Sequence, residues 1–243
     1  MRVGYQDKPT VVNNVETLCS VVKIIEKGPE WYKSFGTKET SGTKLLSISG
    51  DVKYPGVFEI EWGMTVREML EMAGAHEAKA VQIGGPSGRL IGVNEFERTI
   101  CYEDLPTGGA MIVIGQHRSI LEVVKNFTEF FIEESCGSCA PCRYLTVILR
   151  NKLQKIMDGK GVAKDIDDLV EWGNKMKIAN RCGLGQTAAN PILTSIENFR
   201  PEYEAKIEKG KDFDTTFDIN AAIQESCRAV GRYPQANESL TIN

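Results

Sequence analysis

The sequence predicts an α+β fold, and three observations carry that reading. Short β-rich runs punctuated by glycine fill residues 44 to 114, four amphipathic helical patterns follow residue 117, and the texture changes abruptly between Gly115 and Ser119. With 243 residues and 42% hydrophobic content, the chain can bury one large core or, better, two smaller ones.

The first element lies in Thr10 to Ile25, TVVNNVETLCSVVKII, where Asn13 with Glu16 three residues on reads as a capping box. A helix is expected from near Asn14, with Leu18, Val21, Val22 and Ile25 on one face, ending by Gly28-Pro29. Trp31, Tyr32 and Phe35 then supply aromatic packing, so residues 1–43 read as an N-terminal helix and linker.

Residues 44–116 hold KLLSISG, GVFEIEWG, AVQIGG, RLIG and AMIVIG, five candidate strands. Between the second and third, Thr65 can cap VREMLEMAGA, whose Val66, Met69, Leu70 and Ala73 make a helical stripe ending at Gly74. Two strands, a helix and further strands is the order of a small ubiquitin-like β-grasp domain. Gly84-Gly85-Pro86 reads as a turn.

Residues 117–208 carry helical patterns over Ser119 to Glu134, Pro141 to Met157, Asp165 to Ile178 and Thr187 to Ile207. Short connections between four amphipathic helices imply an antiparallel four-helix bundle. Residues 209–243, rich in Asp, Asn, Thr and Ser, read as an extended tail with one weak helical patch at Ala221 to Val230.

A formal charge of -4 gives no electrostatic footprint for nucleic acid. MRVGYQDKPT lacks the apolar core of a signal peptide, and no stretch approaches the roughly 20 apolar residues of a membrane span. The expectation is a cytoplasmic protein with no direct membrane insertion, peripheral to a membrane through partners at most.

Seven cysteines, three of them within seven residues, argue for metal or redox chemistry over a disulfide framework. Cys19, Cys101 and Cys227 stand alone and read as buried or idle thiols. Ser135 to Arg143, SCGSCAPCR, places Cys136, Cys139 and Cys142 at i, i+3 and i+6 in the turn between two helices. Thiolates so spaced can converge on one cuboidal cluster and leave a corner for a distant fourth ligand. In an antiparallel bundle the first and third helix junctions share one end, which brings Cys182 of NRCGLGQ to the other three.

Pro141 suits the first turn of the second helix, and Gly137, Gly183 and Gly185 let backbone N–H groups approach the sulfurs. Arg143 and Arg181 flank the ligands and can offset their charge. Zinc is the alternative for four cysteines, although structural zinc sites favour two separated close-spaced pairs. His76 and His117 lie far from the motif and read as packing or surface residues.

The run ESCGSCAPCR followed by NRCGLGQTAANPILTSIENFRPEYEAKI resembles the C-terminal cluster domain of the NADH-binding flavoprotein subunit of respiratory complex I. The same pattern occurs in diaphorase subunits of NAD-linked hydrogenases and formate dehydrogenases. KLLSISGDVKYPGVFEIEWGMTVREMLEMAG resembles the soluble-ligand-binding β-grasp (SLBB) module of that family, and KPTVVNNVETL its segment closing the flavin site.

The resemblance implies one [4Fe-4S] cluster on Cys136, Cys139, Cys142 and Cys182, FMN contact by Asn13 and Asn14, and no catalytic residue of its own. It implies three partners: a flavin-binding Rossmann-like domain or chain, a thioredoxin-like [2Fe-2S] subunit, and a further iron-sulfur subunit of a hydrogenase, formate dehydrogenase or complex I. The plain reading of the asparagines as a helix cap stands beside the FMN role. No G-x-G-x-x-G strand-to-helix fingerprint occurs in the sequence. FMN and NAD are therefore expected only with the family's N-terminal domain or a separate polypeptide, and the chain alone is not expected to oxidise NADH.

The expected role is electron transfer from FMN through the cluster to partner subunits. The rival readings are a structural docking module stapled by zinc or a vestigial cluster, and a β-grasp domain that binds a small ligand.

Overall fold

A computed structural model of the chain describes residues 2–207, 224 and 227–231. The first helix, α1 (Val15–Lys27), is capped by Asn14, whose side-chain oxygen accepts from Glu16 N at 2.8 Å and Thr17 N at 3.3 Å. The cap is thus Asn14 and not Asn13, whose Oδ1 accepts from Asn14 N at 2.7 Å instead. Nor does Glu16 close a capping box. Its carboxylate accepts from the Leu45 N–H at 2.7 Å and pairs with Lys44, a strand N–H and an ammonium that together satisfy it better than its own helix end.

No residue of α1 is buried, and the stripe of Leu18, Val21, Val22 and Ile25 is exposed. A short α2 (Pro29–Lys33) follows, with Trp31 and Phe35 edge to face at 5.4 Å.

All five candidate strands form: β1 (Thr43–Gly50), β2 (Gly56–Glu61), β3 (Ala78–Ile83), β4 (Arg89–Gly92) and β5 (Ala110–Gly115), with α3 (Val66–Met72) between β2 and β3. They make one sheet in the order β2-β1-β5-β3-β4, in which β1 and β5 run parallel and every other pair antiparallel. Alternation sets the register. Leu46 and Ile48 in β1, Ile60 in β2, and Met111 and Val113 in β5 turn inward and pack with Val66, Met69 and Leu70 of α3.

Thr65 closes a capping box: its hydroxyl accepts from Glu68 N, and the Glu68 carboxylate accepts from Thr65 N at 2.7 Å. The opposite face of the sheet, through Ala80, Leu90 and Ile114, joins a second core made mostly by the helices. β3 is accordingly covered on both faces, and all its residues but the half-buried Lys79 are buried, Gln82 included.

That second core is built by α4 (Ile120–Glu133), α5 (Ala140–Met157), α6 (Ala163–Ala179), a short α7 (Gly183–Thr187) and α8 (Asn190–Glu204). α4 packs on α5 and α8, and α6 packs on α5 and α8, so the four long helices touch in a closed ring. Val124, Phe131, Leu149, Leu153, Ile166, Leu169, Met176 and Ile192 fill it.

The last helical pattern departs from expectation at both ends. Of its first residues Thr187 ends α7, which otherwise precedes the pattern, Ala188 and Ala189 form a turn, and α8 starts at Asn190; α8 then kinks at Phe199 (φ -133°, ψ 27°), two residues before Pro201, which has no N–H to donate and crowds the preceding turn. At the α5–α6 connection the buried Asp165 carboxylate accepts from Val162 N at 3.0 Å, Lys152 at 2.8 Å and Lys155 at 2.7 Å.

The outer edge of β4 meets α8. The Leu90 N–H donates to Thr194 Oγ1 at 3.1 Å, Asn198 Nδ2 donates to the Leu90 carbonyl at 3.1 Å, and Arg89 pairs with Glu197 at 3.0 Å.

Met1–Glu208 cluster as one compact unit. Within 209–243 the described residues 224 and 227–229 are helical and 230–231 form a turn; the rest of the expected tail and helical patch lies outside the described residues. No helix among the described residues is long and apolar enough to cross a membrane.

Candidate metal centre

The closed ring of helices places the end of α4 and the start of α5 beside the end of α6. Cys136 and Cys139 sit in the α4–α5 connection, Cys139 as the residue preceding α5, and Cys142 lies in the first turn of α5 just after Pro141. Cys182 immediately precedes α7. All four thiols line one cavity of about 150 Å³, together with Glu134, Ser135, Asn180, Leu184 and Gly185. Cys142 is buried, Cys139 half-buried, and Cys136 and Cys182 exposed.

Among the described residues no three His, Cys, Asp or Glu side chains meet closely enough to hold a single metal ion. The thiols instead border a shared space. Soft sulfur donors around a small cavity suit a cluster in which each thiolate binds its own iron.

Two polar side chains fix this geometry, and neither was assigned a role from the sequence. Asn180, buried at 6% exposure, accepts from Cys142 N at 3.0 Å and donates to the carbonyls of Met176 at 2.9 Å and Gly185 at 3.0 Å. It ties the start of α5 to the end of α6 and to α7. Gly185 must be small here, since a Cβ would come within 2.8 Å of Asn180 Cγ.

Ser135 Oγ lies 3.2 Å from Cys142 Sγ and accepts from Gly137 N at 3.3 Å. Gly137 takes φ +73°, a left-handed conformation that favours glycine. Arg143 closes the loop by donating to the Gly137 carbonyl at 2.6 Å, with its guanidinium 4.7 Å from the Tyr144 ring centroid.

The sequence signal for both polar residues was adjacency. Ser135 directly precedes Cys136, and Asn180 stands two residues before Cys182.

Electrostatics favour an anionic sulfur at this end. The start of α5, with Cys139 just before it and Cys142 in its first turn, carries the partial positive charge of a helix N-terminus. Hydrogen bonds to Ser138, first through its hydroxyl and then through its backbone, hold the Cys136 thiol below its ordinary pKa. Arg143, expected to offset ligand charge, is engaged with the loop carbonyl, and Arg181 is exposed.

The remaining candidate residues lie elsewhere. Asn13 and Asn14 are exposed at the start of α1. Asn14 borders a separate cavity of about 590 Å³ with Glu16, Tyr32, Lys44, Trp62 and Tyr102. His76 is exposed, and His117 is exposed beside Asp51. Of the lone thiols Cys19 is exposed, Cys101 buried and Cys227 intermediate.

The chain is similar to known proteins over both its sheet and its helical region. Residues 122–206 match the NADH-ubiquinone oxidoreductase-F iron-sulfur binding region, and residues 45–93 match the SLBB domain. The chain is 45% identical over 222 residues to the alpha subunit of the NAD-reducing hydrogenase HoxS of Cupriavidus necator, a span covering 90% of this chain and 37% of that subunit. It is 36% identical over 219 residues to the HndC subunit of the NADP-reducing hydrogenase of Solidesulfovibrio fructosivorans, covering 86% of this chain and 45% of the relative.

In three dimensions it is similar to a chain of an NAD+-reducing [NiFe]-hydrogenase crystallised in the H2-reduced state. The TM-score is 0.79 at 35% identity, with 96% of this chain and 41% of that one covered. The chain thus spans under half the length of each of these relatives.

Proposed function

We propose, for a chain that carries the iron-sulfur binding region of the NADH-ubiquinone oxidoreductase F family and an SLBB domain, and that matches the C-terminal part of that family's NADH-binding subunits, a role as the electron-transferring portion of an NADH:acceptor oxidoreductase. The observation that carries this reading is that the four cysteines of SCGSCAPCR and NRCGLGQ, up to 46 residues apart (182 minus 136), border one small cavity. Cys136, Cys139, Cys142 and Cys182 would hold one [4Fe-4S] cluster, which when bound accepts and passes on single electrons.

The protein's own residues do the rest. Asn180 holds the Cys142 backbone in place, Arg143 and Gly137 shape the loop around Cys136 and Cys139, and the buried setting of Cys142 excludes water from one side.

The fold is read as a β-grasp domain over residues 44–116 and an antiparallel four-helix bundle over 117–208. The strand order, with its parallel β1–β5 pair, supports the first, and the closed ring of α4, α5, α6 and α8 supports the second.

Electrons would arrive from FMN on a Rossmann-like domain or chain. The unpartnered apolar face of α1 supports docking at that end, and Asn13 and Asn14, at the start of the same helix, would then face the flavin. Asn14 uses its carbonyl oxygen for the helix cap, and its amide N–H groups are not needed there, so both roles are compatible. Electrons would leave to a thioredoxin-like [2Fe-2S] subunit or a further iron-sulfur subunit of a hydrogenase, formate dehydrogenase or complex I assembly in the cytoplasm.

The test is anaerobic purification of the chain, with iron and acid-labile sulfide assayed per polypeptide and EPR recorded after dithionite reduction. About four irons and four sulfides with a fast-relaxing signal are expected. Zinc without sulfide would replace this reading with that of a structural module.

A further inference from the structure

The connection that carries Cys136 brings the residue before it onto the sulfur of a different cysteine. Ser135 Oγ lies 3.2 Å from Cys142 Sγ, and the same oxygen accepts from the Gly137 N–H at 3.3 Å. That backbone donor occupies an oxygen lone pair and leaves the hydroxyl hydrogen to be given elsewhere. The loop is held in this shape by the left-handed Gly137 and by Arg143 donating to the Gly137 carbonyl at 2.6 Å.

Cys142 is 6% exposed, so a hydrogen bond to its sulfur is not shared with bulk water and acts in surroundings that strengthen it. Cys136 offers a contrast within the same site. Its neighbour Ser138 is 3.5 Å away, and both residues are exposed, so solvent screens the contact.

A cysteine sulfur that binds iron is a thiolate and has no proton to give. Of Ser135 Oγ and Cys142 Sγ, the hydroxyl is then the donor. We propose that Ser135 sets the reduction potential of the centre by donating its hydroxyl hydrogen to the Cys142 sulfur. A donor at the sulfur withdraws electron density and stabilises the more negative, reduced state more than the oxidised one, so the potential rises. This inference rests on the reading of the four cysteines given above.

The experiment is an EPR-monitored redox titration of the anaerobically prepared full chain, with iron and sulfide assayed on the same samples, for wild type, Ser135→Ala, Ser135→Thr and Ser138→Ala. Ser135→Ala is expected to keep a full cluster and titrate at a lower midpoint potential. Ser135→Thr, which retains the hydroxyl, is expected to restore the wild-type value, and Ser138→Ala to move it less than Ser135→Ala does.

A fully loaded Ser135→Ala protein with the wild-type potential would overturn the proposal. So would loss of the cluster in Ser135→Ala, since the hydroxyl would then be an assembly element and not a tuning one. Wild-type protein without iron and sulfide would bring down the cysteine assignment along with it, whereas a loaded wild type with an unmoved variant sinks the Ser135 inference alone.

Discussion

Asn180 accepts a hydrogen bond from the backbone N–H of Cys142 at 3.0 Å, across 38 residues of sequence. Its amide group donates in the same geometry to the carbonyls of Met176 and Gly185. One buried side chain therefore satisfies the start of one helix and the end of another, and holds both arms of the cysteine cavity in register.

Asn180→Ala should remove these three bonds and leave buried backbone groups unpaired, at a cost of about 2–4 kcal/mol. Chemical denaturation should show the lower midpoint, and iron should leave the loaded protein faster in the presence of a chelator. An unchanged release rate would mean that Asn180 supports the fold without organising the thiols.

Cys182→Ala should lose the four-iron EPR signal or reduce it to a partial cluster, whereas Cys19→Ala, an exposed thiol outside the cavity, should leave it intact. An intact four-iron signal in Cys182→Ala would remove Cys182 from the ligand set.

Asp51 carries a pH dependence. Arg118, bonded to it at 2.5 and 2.7 Å, is the main cause that brings its pKa from 3.8 down to about 2, helped by the Gly115 N–H. A depressed carboxyl stabilises the fold above its unfolded pKa, and this is lost as protons bind between about pH 4 and pH 2. Denaturation curves of Asp51→Asn should be less steep in pH than those of wild type across that window, the two converging at its acid end.

Asp165→Ala should be the more damaging acidic substitution. Burial raises the Asp165 pKa, yet Lys152, Lys155 and the Val162 N–H together hold it below the ordinary value, so the carboxylate is charged and fully engaged. Its removal leaves Lys152, itself 19% exposed, with Asp168 at 2.7 Å as its carboxylate partner and takes the acceptor from the Val162 N–H, and should cost about 2–4 kcal/mol in equilibrium unfolding. A loss under about 1 kcal/mol would show that the lysines recover their hydration freely.

Much of this architecture was legible because local pattern and tertiary role coincide. Thr65 with Glu68 is a self-contained capping box, and the five strands are bounded by glycine turns, so each announces itself within a few residues. The cysteines were legible for a similar reason, since i, i+3, i+6 spacing is a local signature.

What escaped was set by partners remote in sequence. Glu16 looked committed to its own helix until β1 supplied a better donor pair in Lys44 and Leu45. Asn180 and Ser135 are ordinary polar residues whose importance lies in contacts that no periodicity encodes. GLGQT is a poor intrinsic helix former, yet α7 forms next to Cys182, packed on α6.

The bonds from Thr194 and Asn198 to both backbone groups of Leu90 bear on solubility. The rim of a sheet is a template onto which a foreign strand can add, and proteins guard it with charge, brevity or a cover. Here α8 closes the β4 side with two uncharged side chains. A truncation ending after β5 would unmask that rim and invite strand-to-strand aggregation, so the helices that shape the thiol cavity also act as gatekeepers for the sheet.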